Sequence, residues 1–84
     1  MTRERKRHPE ITGVAILARD GRMIALPAPA RHGNLFVLAD QIGVDGATWR
    51  QGYTSRKGEF LTRKEAARIA GFPELTEAFS EDFW

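Results

Sequence analysis

The sequence contains no cysteine and only two histidines, His8 and His32. The first absence excludes a disulfide scaffold and every thiolate metal site, and the second leaves too few imidazoles for a histidine-rich zinc centre. Ser55 and Ser80 are the only serines, and Ser55 sits beside Arg56 and Lys57 with no base close in sequence. There is no Gly-rich phosphate loop and no His-x-x-x-His pair. No apolar run approaches the ~20 residues of a membrane span, and the N-terminus lacks a signal-peptide pattern. The expectation is a protein with no catalytic centre, no cofactor, no metal and no membrane partner.

What is present fits one small domain. A chain of 84 residues buries about 60–65% of its unfolded surface as a single core, which leaves no room for a second. The formal charge of +2 hides a polarised chain. Residues 1–8 carry four basic groups against one acid, and residues 72–84 carry Glu74, Glu77, Glu81 and Asp82 with no base. The organisation expected is a flexible basic head over 1–10, a domain over 11–72 and an acidic, aromatic tail over 73–84. The head reads either as a solubilising terminus or as an arm that tracks phosphates. The tail, with Phe79, Phe83 and Trp84, reads either as a segment docked on its own domain or as one that offers aromatics to a partner.

Patterning predicts the order β-β-α-β-β-α, an α+β fold of two hairpins packed with two helices. The first hairpin spans Ile11 to Leu26, with Asp20-Gly21 as a two-residue turn. That turn places Leu17 opposite Ile24 and Ala15 opposite Leu26. These four then share a face with Ile11, and Val14, Ile16 and Met23 take the other, which is also apolar and is expected to be covered by the tail or by a partner. Pro27-Ala28-Pro29-Ala30 reads as a stiff extended connector.

A helix starts between Arg31 and Asn34, with Leu35, Leu38, Ala39 and Ile42 as its buried stripe, Phe36 widening it and Gly43 ending it. A polar loop anchored by Trp49 follows. The second hairpin runs from Gln51 to Leu61 around an Arg56-Lys57-Gly58 loop, with Tyr53 and Phe60 as anchors. Thr62-Arg63-Lys64-Glu65 is a capping box, flanked by a Leu61/Ala66 staple. Ala66, Ala67, Ile69 and Ala70 form the packing face of this helix, Gly71 closes it, and Glu74 to Phe79 supplies a further turn.

Candidate binding residues follow from charge. Arg31-His32 lies at a helix start, where histidine either hydrogen-bonds the local backbone or contacts an anion or partner. Arg56, Lys57, Arg63, Lys64 and Arg68 form one patch if hairpin and helix pack together. The first hairpin superficially resembles that of Nudix hydrolases, but the glutamate-rich helix of that family is missing. Leu61 to Phe79 resembles half of a helix-turn-helix. Its second helix would be acidic, and phosphates repel it.

Arg31-His32, Gly52-Tyr53-Thr54-Ser55-Arg56-Lys57-Gly58-Glu59-Phe60 and Arg63-Lys64-Glu65-Ala66-Ala67-Arg68-Ile69-Ala70-Gly71 together resemble a recurrent type of small phage and prophage protein, with one extra residue before Gly58. The resemblance covers about half of the chain. It implies an anti-defence factor of the anti-CRISPR kind, working in the bacterial cytoplasm. Such a factor would bind a type I CRISPR surveillance complex stoichiometrically, blocking target DNA binding, or would bind the effector nuclease. On that implication the contact residues are Arg31, Tyr53, Arg56, Lys57, Arg63 and Trp84, together with Glu74, Glu77, Glu81 and Asp82, whose charge suits a positive DNA channel. The second reading is a small phage accessory or regulatory protein that binds nucleic acid.

Overall fold

A computed structural model describes residues 8–71, 79, 83 and 84. The fold is α+β, as expected. Strands β1 (Ile11–Leu17), β2 (Met23–Pro27), β3 (Arg50–Ser55) and β4 (Phe60–Thr62) form one sheet in the order β2-β1-β3-β4. All three strand pairs are antiparallel. Helix α1 (His32–Gln41) joins the hairpins through a short 3-10 turn at Gly46–Thr48, and α2 (Arg63–Ala70) follows β4. The basic head to residue 7 and the proposed turn from Glu74 lie outside the described residues.

The two hairpins are closed by the same device. In the second, Ser55 N–H donates to Glu59 O and Gly58 N–H to Ser55 O, both at 2.9 Å. Arg56-Lys57-Gly58 is thus a three-residue loop, with Gly58 left-handed at φ 80°, as expected. In the first, Ala18 N–H donates to Arg22 O at 2.8 Å and Gly21 N–H to Ala18 O at 3.1 Å. Here too the loop has three residues, Arg19-Asp20-Gly21, and not two.

That single residue corrects the expected register. Leu17 pairs with Met23, Ile16 with Ile24 and Val14 with Leu26. Because side chains alternate with period two, the slip exchanges the faces. Val14, Ile16, Ile24 and Leu26 turn toward the core, whereas Leu17, Met23 and Ala25 turn away. Ile11 still reaches the core through a bulge. It pairs with Ser55 while Gly13 pairs with Thr54, so Thr12 is an extra residue that resets the alternation. The Thr12 hydroxyl donates to Ser55 O at 3.1 Å and holds the bulge.

After β2 the chain turns instead of extending. Ala30 N–H donates to Pro27 O at 3.1 Å around a cis Ala28–Pro29 bond. Arg31 occupies the N-cap of α1 with no acceptor to offer, and Asn34 Oδ1 takes the Arg31 N–H at 2.7 Å. The buried stripe of α1 sits one turn earlier than expected. His32, Leu35 and Ala39 are buried, while Ile42 is 59% exposed. At α2 the capping box forms as read. Glu65 N–H donates to Thr62 Oγ1 at 3.1 Å and Thr62 N–H to Glu65 Oε1 at 2.9 Å. Ala66 and Ala67 are buried, but Ile69 is exposed.

One core results. Val14, Ile16 and Tyr53 of the sheet meet Leu35 and Ala39 of α1, Ala66 and Ala67 of α2, and Phe83 and Trp84. Both helices and the tail aromatics therefore cover the same face. Among the described residues no helix packs on the opposite face.

Two glycines set opposite expectations. A Cβ on Gly52 would meet the Leu61 carbonyl and the Phe60 ring, whereas one on Gly33 meets nothing. Gly52→Ala is expected to cost about 1–3 kcal/mol in urea denaturation, and Gly33→Ala to stabilise by about 0.5 kcal/mol.

The first turn also sets a pH dependence. Asp20 Oδ1 accepts the backbone N–H of Arg22 at 3.0 Å, and Oδ2 accepts Arg22 Nε at 2.7 Å. The backbone bond first, and the guanidinium after it, hold the Asp20 carboxyl below its ordinary value. A depressed folded value contributes stability above the ordinary carboxylate range, and that contribution is lost as pH falls through the lowered value. An NMR titration of Arg22→Gln is expected to keep most of the depression, because the backbone donor survives.

Candidate interaction surface

The candidate residues gather most densely where the starts of both helices meet β3. His32, first residue of α1, places Nε2 2.7 Å from Gly52 O. Arg63, first residue of α2, donates from Nη2 to Gln51 Oε1 at 2.5 Å. Gln51 and Gly52 are neighbours on β3, and Gly52 pairs with Thr62 just ahead of α2. The two helix N-termini thus converge on two consecutive residues of one strand.

Aromatic rings close this junction. Tyr53 is fully buried and meets His32 edge-on at 5.2 Å, Phe83 at 5.0 Å and Trp84 at 6.3 Å between centroids. Trp84 donates from Nε1 to Ala30 O at 2.8 Å, one residue before Arg31. The Arg63 guanidinium lies 4.7 Å from the centroid of Phe79. Of the two readings of the tail aromatics, Phe83 and Trp84 take the docked one.

Two guanidinium atoms at the junction are buried without a hydrogen-bond partner, Arg31 Nη1 and Arg63 Nε. Such atoms are uncommon, since a buried polar group without a partner keeps its desolvation penalty.

This geometry corrects two candidates. Tyr53 is fully buried and Trp84 is 8% exposed, so neither ring is available as a surface anchor; both are core. His32 reaches across to Gly52 O on β3.

The expected basic patch divides. Arg63 turns inward to Gln51 and Phe79. Arg56 and Lys57 are exposed at the turn, where Arg56 Nη1 stands 3.6 Å from Glu10 Oε1. Lys64 and Arg68 are exposed on α2. Glu74, Glu77, Glu81 and Asp82 lie outside the described residues. Sequence reasoning missed Gln51, although its alternation with Tyr53 on one strand face pointed to it.

A second surface is the open face of the sheet. Register places Leu17, Met23, Ala25, Arg50, Thr54 and Phe60 on it. A shallow groove of about 480 Å³ runs there between Met23, Ala25, Pro27 and Thr54, reaching Arg56. Arg50 begins β3 and Arg56-Lys57 follow its end, so cations flank the face at both ends, about 20 Å apart for a strand of this length.

Among the described residues no cluster of three or more histidines and carboxylates stands ready for a metal. No described helix is long and apolar enough to cross a membrane. Comparison with protein-family models, curated proteins and solved structures returns no match to this chain.

Docking of Phe83 and Trp84 carries a measurable consequence. Trp84→Ala removes a buried indole and its hydrogen bond, and is expected to lower stability in urea denaturation by about 3 kcal/mol. Replacing exposed Val37 with Ala is expected to change it by less than about 0.5 kcal/mol.

Proposed function

We propose that this chain is a phage- or prophage-encoded anti-defence protein of the anti-CRISPR kind. It works in the bacterial cytoplasm by stoichiometric, non-catalytic binding to a type I surveillance complex, and it blocks target DNA binding. The observation that supports this reading is the open sheet face, a shallow grooved surface mixing apolar Met23, Ala25 and Pro27 with exposed Arg50. A rigid face of this composition suits a protein partner, since apolar side chains and arginine carry interface energy. The polar groups around it are bound to the chain itself: Thr12 to Ser55 O, and Ser55 Oγ to the N–H groups of Lys57 and Glu59. The tail carboxylates Glu74, Glu77, Glu81 and Asp82 complement the positive channel in which such a complex holds DNA.

A second reading, direct nucleic-acid binding, draws on the cations at the two ends of the sheet face. A strand laid along β3 meets Arg50 at one end and Lys57 at the other.

Mobility-shift assays with a purified type I complex and its target duplex separate the readings. One equivalent of this protein is expected to abolish DNA binding, and neutralising all four tail acids to weaken inhibition at least tenfold. Unchanged inhibition after neutralisation removes the tail from the mechanism. In the second reading the protein alone binds single-stranded DNA, and the slope of log K against log salt falls by about one unit for each of Arg50→Gln and Lys57→Gln.

A further inference from the structure

One end of the sheet, where the Arg19-Asp20-Gly21 turn meets the start of β3, concentrates positive charge. Arg19, Arg22 and Arg50 are exposed there. A groove of about 430 Å³ opens between Arg19, Asp20, Arg22, Thr48 and Trp49, with Asp20 the one acid on its walls. Beside it Leu17 pairs with Met23 on one side and Arg50 on the other. These three form a row on the open face, with Leu17 half-buried and Met23 exposed. Arg22 is fixed in place. Its Nε donates to Asp20 Oδ2 at 2.7 Å, and its guanidinium lies 5.3 Å from the centroid of Trp49. Arg19 and Arg50 enter no described ion pair, since those pairs join Arg22 to Asp20 and Arg56 to Glu10. The opposite end of the face is balanced. Arg56 stands near Glu10, and Lys57 shares its turn with exposed Glu59. Positive charge without a counterion therefore sits at one end, joined to exposed apolar surface.

We infer that this end of the sheet docks an acidic, apolar segment of the protein partner. Carboxylates of that segment pair with Arg19 and Arg50, and an apolar side chain packs on Leu17 and Met23. The inference deepens the proposed function and rests on its reading of a protein partner. Charge complementarity selects the occupant. Arginine forks bind carboxylates in pairs, and arginine and tryptophan carry much of the energy of protein interfaces. Arg22 and Trp49, already stacked, lose little entropy when covered. A nucleic-acid strand needs cations along its track, but β3 carries none between Arg50 and the turn at Arg56. The surface between them is aliphatic, and the contact with Arg22 occupies a face of Trp49 on which a base would stack. A second copy of this chain would set arginine against arginine. Phe83 and Trp84 pack in the core on the opposite face and leave this one open.

The test is an NMR titration of the full chain with a ten-residue peptide of Asp, Glu and Leu, run beside a twelve-nucleotide single-stranded DNA. Saturable shifts with the peptide at Leu17, Arg19, Met23 and Arg50 and at the Trp49 indole are the expected result. Arg19→Gln and Arg50→Gln each weaken peptide binding about tenfold, and Met23→Ser about threefold. The Met23 change separates docking from charge attraction alone. All three positions are exposed, so thermal unfolding of each variant stays close to that of the parent chain. The inference is overturned by non-saturable shifts, by shifts centred on Arg56 and Lys57, or by binding that survives the double Arg19→Gln, Arg50→Gln change. Tighter binding of the DNA through the same resonances also overturns it. So does peptide binding that appears only after Glu74, Glu77, Glu81 and Asp82 are neutralised, because the tail of this chain is then the occupant. A second arm measures binding of the parent chain and of the Arg19→Glu, Arg50→Glu variant to a purified type I complex. At least a tenfold loss in the variant is expected, and equal binding of the two overturns the inference while the proposed function stands. No binding by the parent chain refutes that complex as the partner, and the peptide titration alone then decides the docking site.

Discussion

The structure depends on the burial of Tyr53. Its ring lies at the centre of β3, inside a sheet too small to form a core by itself. Domains of this size are marginal because so much of their surface stays in water. One large side chain that touches every layer therefore matters more than it would in a larger fold. Tyr53 meets His32 from α1 and Phe83 and Trp84 from the tail. It belongs to the same cluster as Ala66 and Ala67 of α2. The adjacent Gly52 lets Phe60 and the Leu61 carbonyl approach closely, and its own carbonyl receives His32. Two consecutive residues of one strand thus fix the positions of both helices.

Features governed by a few neighbouring residues were legible in the sequence. The capping box at Thr62 and Glu65, left-handed Gly43, Gly58 and Gly71, and the three-residue loop at Arg56-Lys57-Gly58 all follow from local chemistry. The first hairpin was misread because Asp20-Gly21 has the signature of a two-residue turn, while Arg19-Asp20-Gly21 closes as the second hairpin does. Since the period of a strand is two, that one residue exchanged the faces of Val14 and Ile16 with those of Ala15 and Leu17. The Thr12 bulge that restores Ile11 to the core leaves no local signal, because only pairing with β3 creates it.

Positions set by tertiary contact were the least legible. Ile42 and Ile69 continue helical stripes yet are exposed. His32 and Gln51 read as ordinary polar residues of a helix start and a strand. Their roles emerge only where α1, α2 and β3 converge. The candidate site was visible as a set of residues, Arg31, Tyr53 and Arg63, but not as an arrangement. Tyr53 became the hub of the core, whereas the two arginines became half-buried cations beside it. The open sheet face was legible in part: a second, apolar face of the first hairpin with Met23 on it was expected, but with Val14 and Ile16 instead of Leu17, and that both helices choose the same side was not.

Sheet, helices, Phe83 and Trp84 form one cooperative unit keyed on Tyr53, with every binding surface presented by that rigid frame. Hydrogen exchange of the Trp84 indole N–H, which donates to Ala30 O at 2.8 Å, tests this most directly. In such a unit the proton is protected to the same free energy as the amides of β1 and β3, because it opens only when the whole domain unfolds. Exchange at the rate of an indole free in water, with the sheet amides still protected, would contradict it and detach the tail from the core.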